Sequence, residues 1–244
     1  SMNSSSIKHK RPHKNMSKTK GGKVDQVYGE IKNMIYHNML APGQKIIYKD
    51  LAERLDVSIT PVVQALKRLE RSNLVYYETN KGYFVGELTE RMVEDLYHVR
   101  EALEIQTIPL VIENLDVQAL RSIKTEIKRY LNTLTMSEEG RTLMLLDAQF
   151  HLKIIEHSNN KVAYDILKDV FEQIYLRYKP EYLHQSRVKE AYEEHRTILS
   201  ALARRDIEAT RTVMMNHIRK GKDHILSIIQ SRRNMFNQKR PWMI

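Results

Sequence analysis

Apolar and polar positions change period several times in the first third of the chain. Val27, Ile31, Met34 and Ile35 recur at helical spacing within residues 24–40, and Ala41-Pro42-Gly43 ends that run. Leu51 and Leu55 predict a short second helix over 49–55. Val62, Leu66 and Leu69 predict a third, capped by Ser58 or Thr60, with Pro61 in its first turn. Two short strands then follow, at 74–77 and 83–85, joined through Thr79-Asn80-Lys81-Gly82.

From about residue 89 onward the strand signals stop. Helical periodicity predicts segments near 89–114, 116–135, 138–157, 160–179, 184–204 and 206–236. Asn114, Gly140, Ser158-Asn159-Asn160, Pro180 and Arg205-Asp206 mark the breaks. Pro109 should kink the first of these helices. Residues 232–244 carry little pattern, and no internal repeat is visible. The expected fold is mainly α: a winged helix-turn-helix over 24–86, where three helices precede a hairpin, joined to an all-helical bundle over 89–236.

Charge alters this picture at one end only. The net charge is +10. Lys8, Lys10, Arg11, Lys14, Lys18, Lys20 and Lys23 supply +7 of it, and residues 1–23 contain no acid. That segment, rich in Ser, Asn and His, reads as a disordered basic tail. It is either a solubilising leader or an arm that adds salt-sensitive attraction to phosphates. Ser1-Met2 reads as a cloning remnant. The absence of cysteine leaves His, Asp and Glu as the only strong metal ligands. No apolar run reaches membrane length and no signal-peptide pattern is visible, so a cytoplasmic location without a membrane partner is expected.

In a helix-turn-helix the second helix of the motif lies in the major groove, and its first residues meet base edges. Here that helix presents Thr60, Gln64, Lys67 and Arg71 outward. Gln can bond adenine through two hydrogen bonds, and Lys can reach guanine or phosphate. Lys49 is placed to hold the backbone. Lys81 and Gly82 at the tip of the hairpin are placed to enter the minor groove, where glycine permits close approach. Any one such polar residue is ordinarily just solvated; the ordered set of three helices and a wing carries the reading.

The second half holds histidines on apolar faces. Asp147 and His151 are four residues apart, on one face of a helix beside Leu143, Leu146, Phe150 and Ile154. His195 lies on a stripe with Val188, Tyr192, Ile198, Leu199 and Leu202, and His217 lies with Val213 and Met214. A lone inward histidine is ordinarily a hydrogen-bonded core residue. Three of them with an aspartate, on three helices of one bundle, make a plausible nitrogen and oxygen metal site: zinc foremost, with nickel, manganese or iron as alternatives. Arg100 falls on the inward stripe Val93, Leu96, Leu103, Leu110. A buried guanidinium needs a partner, either an internal acid such as Glu104 or Asp147, or a bound anionic effector.

The first module resembles the GntR family of transcriptional regulators. The similarity lies in Pro42-Gly43, Leu51-Ala52-Glu53-Arg54-Leu55, Val57-Ser58, Thr60-Pro61-Val62, Ala65-Leu66, Arg68-Leu69-Glu70, Leu74-Val75 and Gly82-Tyr83-Phe84-Val85. Two positions depart from the family pattern: Ile59 and Val63 stand where its members usually carry arginine. The helical part is similar to the metal-containing ligand domain, the FCD domain, of the FadR-type subgroup. This similarity rests on Val99-Arg100-Glu101-Ala102-Leu103-Glu104, Asp147-Ala148-Gln149-Phe150-His151, Glu194-His195 and Asp206 through Ala209 to Asn216-His217-Ile218. The resemblance implies a divalent metal on Asp147, His151, His195 and His217, an anion contact at Arg100 and a small organic-acid effector. It also implies double-stranded operator DNA, read by a homodimer through residues including Lys49, Ser58, Thr60, Gln64, Lys67, Lys81 and Gly82. Two other classes remain at this point. One is a metal-dependent hydrolytic enzyme using the Asp/His set, for which no general base, nucleophile motif or phosphate loop is visible. The other is an architectural nucleic-acid binder driven by the basic tail, which needs no inward metal site.

Overall fold

The computed structural model describes residues 20–135 and 140–238. Its order is α1 (Lys20–Tyr36), β1 (Lys45–Ile46), α2 (Tyr48–Arg54), α3 (Ile59–Arg71), β2 (Val75–Glu78), β3 (Gly82–Val85), α4 (Glu90–Asn114), α5 (Val117–Thr135), α6 (Gly140–Glu156), α7 (Lys161–Arg177), a 3-10 turn (Pro180–Tyr182), α8 (Gln185–Ala203) and α9 (Ile207–Gln238). The fold is mainly α, with a winged helix-turn-helix at the N-terminal end and a helical domain after it.

The N-terminal core forms where the three helical stripes meet the hairpin. Val27, Ile31 and Ile35 of α1, Leu51 of α2, and Val62, Leu66 and Leu69 of α3 are buried against Val75, Tyr83 and Val85. Each such aliphatic side chain contributes about 1.5–3 kcal/mol by leaving water. The hairpin register pairs Val75 with Val85 and Glu78 with Gly82. A third strand not anticipated from the pattern, β1, pairs antiparallel with β3, with Lys45 opposite Phe84 and Ile46 opposite Tyr83. Two residues are too few to show alternation. Helix α1 opens at Lys20, so Lys20–Lys23 of the expected tail are helical, while residues 1–19 lie outside the described residues. Helix α3 starts at Ile59, with Ser58 as N-cap in extended conformation and no capping bond from its side chain.

The helical domain is a bundle in which α4 lies along α9, α5 against α6 and α8, and α7 against α4 and α6. Thr89 Oγ1 accepts the Met92 amide at 3.2 Å and starts α4; Asn160 Oδ1 accepts the Ala163 amide at 3.1 Å and starts α7. Pro109 lies inside the last turns of α4. The inward stripe of α4 runs through Val93, Tyr97, Arg100, Glu104, Thr107, Ile108 and Val111. Leu110, expected inward, is 40% exposed. The true stripe drifts by one residue over this length because 3.6 residues per turn do not repeat evenly.

Two buried arginines join the two parts of the chain. Arg141, in the first turn of α6, donates to the Ile35 carbonyl at 3.2 Å and the Tyr175 carbonyl at 3.0 Å. Arg177, at the end of α7, donates to the Asn73 carbonyl just past α3, and burial lowers its pKa to about 10. Leu176 packs into the N-terminal core, and Lys32 of α1 pairs with Glu172 of α7 at 2.7 Å. A Cβ at Gly86 would lie 3.0 Å from the Asn73 carbonyl oxygen and 3.1 Å from Arg177 Nε, so glycine eases the tight passage of the chain between the two parts.

Candidate functional site

Asp147 and His151 project from one face of α6, His195 comes from α8, and His217 comes from α9. One ligand atom from each lies within 4.8 Å of the others. Asp147 Oδ1 is 3.1 Å from His195 Nε2, 3.7 Å from His217 Nε2 and 3.9 Å from His151 Nε2. The Nε2 atoms of His151 and His217 are 3.0 Å apart. Metal–nitrogen bonds of about 2.0–2.1 Å place neighbouring ligand atoms roughly 3 Å apart, so these separations fit one coordination shell.

The far side of two imidazoles decides their tautomer. His151 Nδ1 donates to Glu104 Oε2 at 2.5 Å, and His217 Nδ1 donates to Glu194 Oε2 at 2.7 Å. A carboxylate acceptor fixes the proton on Nδ1 and leaves the Nε2 lone pair pointing inward, as behind metal-bound histidines. Two such lone pairs then face each other at 3.0 Å, and a cation between them relieves the repulsion. His195 is held by packing: its ring stacks on Phe150 with centroids 4.0 Å apart and meets the edge of Tyr130 at 5.4 Å.

Electrostatics prepares these groups to bind a cation. Burial lowers the pKa of His217 to about 3 and also lowers that of His195, so both rings are neutral near pH 7. Burial would raise the Asp147 pKa, but the hydrogen bond to His195 and nearby positive charge hold it well below the usual carboxylate range. Burial is likewise outweighed at Glu104, held near 2 by His151 and Arg100, and at Glu194, held near 2 by His217 and Arg187. The carboxylates of Asp147, Glu104 and Glu194 are ionised beside the neutral imidazoles of His195 and His217, which suits the binding of a divalent ion.

Arg100 is 2% exposed and takes the internal-acid partner: its Nε donates to Glu104 Oε1 at 2.6 Å. Its guanidinium also lies over the Phe171 ring, 4.7 Å from the centroid. Nη2 makes no hydrogen bond, and Asp147 Oδ2 is 3.8 Å away. Beside this group lies a cavity of about 60 Å³, lined by Arg100, Asp147 and His217 together with Tyr97, Tyr178 and Arg187. Burial pushes the Tyr97 hydroxyl up to about 12 and the Tyr178 hydroxyl well above its ordinary value, so both remain neutral donors.

On the N-terminal module most of the residues expected to face DNA lie at the surface. Lys49, Ser58, Thr60, Gln64 and Lys67 are exposed, and so is Ile59, at 43%. Lys81 is exposed at the tip of the wing and paired with Glu78 at 2.5 Å. Gly82 differs from expectation. It is buried, with φ +96°, and Tyr48 Oη would lie 3.6 Å from an added Cβ. The turn geometry accounts for this glycine, and the tip of the wing is Asn80-Lys81.

Two family profiles match this chain: "Bacterial regulatory proteins, gntR family" over residues 23–85 and "FCD domain" over residues 95–220. The chain belongs to the GntR family. It is 30% identical to the HTH-type transcriptional regulator McbR of Escherichia coli over 195 residues, covering 76% of this chain and 85% of McbR. It is also 30% identical to the Nta operon transcriptional regulator of Aminobacter aminovorans, covering 80% and 90%. Among solved structures, E. coli McbR/YncC superposes with a TM-score of 0.66 at 24% identity, covering 86% of this chain and 98% of that one. A GntR regulator from Rhodococcus superposes with 0.62 at 22%, covering 84% and 98%. This member is therefore a DNA-binding transcriptional regulator with an FCD ligand-binding domain. Among the described residues, no helix is long and apolar enough to cross a membrane.

Two residues of this GntR regulator have roles that their sequence positions do not reveal: Glu104, expected as a partner for Arg100, also holds His151, and Glu194, beside His195 in sequence, holds His217. Tyr97, Tyr178 and Arg187 line the cavity without a signal in the sequence pattern. The pairing of Glu194 with His217 depends on how α8 meets α9.

Proposed function

We propose that this regulator binds operator DNA as a homodimer under the control of a small carboxylate effector seated beside a divalent metal. Asp147, His151, His195 and His217 hold the ion, zinc foremost, with nickel, manganese or iron as alternatives. Where bound, the ion supplies positive charge and open positions for an oxygen anion. Arg100, anchored by Glu104, directs its Nη2 toward the carboxylate for a charge-assisted contact. Tyr97 and Tyr178 offer neutral hydroxyl donors and limit the entry of water. The observation that carries this reading is the pair of Glu-backed imidazoles whose Nε2 atoms face each other at 3.0 Å beside Asp147.

At the DNA end, Thr60 and Gln64 meet base edges, and Lys67, Lys49, Ser58 and Lys81 hold phosphates. The ligand reaches this surface through α4, which carries Arg100 and begins four residues after Gly86, and through α6. The latter carries Asp147 and His151 and grips Ile35 by Arg141. An effector that prefers one placement of these helices shifts the DNA modules by no more than its differential affinity for the two states. The experiment is operator binding, with a duplex selected from a random pool and read by fluorescence anisotropy. Zinc-loaded protein should change its affinity when titrated with short carboxylic acids, and Arg100→Ala should not. Chelator-stripped protein responding as fully as the loaded form would overturn the reading.

A further inference from the structure

Arg100 is not the only unsatisfied guanidinium in the cavity. Arg187 of α8 lines the same space, and its Nη1 is buried without a hydrogen bond, the nearest carboxylate being Glu190 at 3.7 Å. The rest of the group is fixed: Nη2 donates to Glu194 Oε2 at 2.8 Å. That same oxygen accepts His217 Nδ1 at 2.7 Å. Arg187 is thus braced against the outer partner of a candidate metal ligand, with its Nη1 group left over. A buried guanidinium nitrogen without an acceptor carries a desolvation cost that a bound anion would relieve.

Two arginines on different helices, α4 and α8, line one small cavity and each has an unpaired Nη group, which does not suit a ligand with a single anionic end. One carboxylate can occupy Arg100 and the metal positions; the Nη1 group of Arg187 is then still without an acceptor. We infer that Arg187 is a second anion contact and that the effector is a short dicarboxylic acid, with one carboxylate at the metal and Arg100 and the other at Arg187. This rests on the carboxylate-effector reading above and narrows it. Tyr130 Oη is engaged with the Val188 carbonyl at 3.4 Å, which leaves the arginine as the charged group at that end. Because Glu194 touches both Arg187 and His217, filling the second contact also steadies a metal ligand.

The test compares charges at equal shape. Zinc-loaded protein is titrated calorimetrically with malonate, succinate, glutarate and adipate, and with the half-amide of each, in which the second carboxylate is neutral. The expected result is that at least one diacid binds the wild type about tenfold or more tighter than its half-amide. Arg187→Gln should abolish that preference while still binding half-amides, and Arg187→Lys should keep part of it. Half-amides binding as tightly as diacids to the wild type would overturn the inference and leave the carboxylate reading standing; so would a preference that persists in Arg187→Gln. If no acid of either series binds, the carboxylate reading falls and this inference falls with it. The wild-type comparison decides the matter even if a variant folds poorly.

Discussion

Glu194 Oε2 accepts the Nδ1 proton of His217 at 2.7 Å, and this contact between α8 and α9 fixes which nitrogen of a buried imidazole faces the cluster. Glu104 does the same for His151 from α4. Each helix of the bundle that supplies a histidine is thereby registered against another through a carboxylate, so ligand geometry and helix packing are one arrangement.

Glu194→Gln should leave the helical content unchanged and weaken zinc binding by about 10–100-fold, the usual effect of removing an outer carboxylate behind a ligating histidine. Competition against a chromophoric chelator measures it. The neutral amide can still accept the proton, so fold loss is not expected.

Acid should destabilise the metal-free protein over a wide range. The folded pKa of His217 is about 3 against 6.5 unfolded, so its neutral form favours the fold above pH 6.5, and that contribution is lost as pH falls. Glu104 and Glu194 are held near 2 against 4.5, so their contribution is present above pH 4.5 and is lost as pH falls toward 2. All three act in the same direction. Urea midpoints of chelator-stripped protein should fall steadily from pH 7 to pH 4; a flat profile would contradict the burial of these groups.

Much of this was legible from periodicity. The stripes of Val27/Ile31 and Val62/Leu66/Leu69 place three helices, and histidines on otherwise apolar faces identify the cluster. Features that depend on how elements meet were not legible. Strand β1 is two residues long and exists because β3 offers it an edge. Arg141 and Arg177 look like ordinary helix cations in sequence, yet they donate to carbonyls of Ile35 and Asn73 across the junction. Leu110 turned outward because a stripe extrapolated along a 25-residue helix drifts.

Gly221 sits inside α9 and borders the cavity, where an added Cβ would meet the Tyr97 ring at 3.6 Å, an ordinary contact. Glycine within a helix costs roughly 0.5–1 kcal/mol relative to alanine. Gly221→Ala should therefore raise the melting temperature by about 1–4 °C. It should also narrow the cavity and weaken acid binding. Stabilisation with undiminished binding would place the acid elsewhere.

Ile59 opens α3 and is exposed where relatives of the family usually carry arginine. Ile59→Arg should tighten binding to all duplexes and steepen the salt dependence by about one phosphate contact. Gln64→Ala should instead relax preference at one base position, by about 1–3 kcal/mol. Anisotropy titrations across salt concentrations and single-base operator variants separate the two effects.

The central claim is one divalent ion per chain on Asp147, His151, His195 and His217. Native mass spectrometry of zinc-loaded, desalted protein tests it most directly, comparing the wild type with the His195→Ala, His217→Ala double variant at matched circular dichroism. The predicted result is a wild-type dimer retaining two ions and a double variant retaining none. An equal ion load in both proteins, or none in the wild type, would contradict the account.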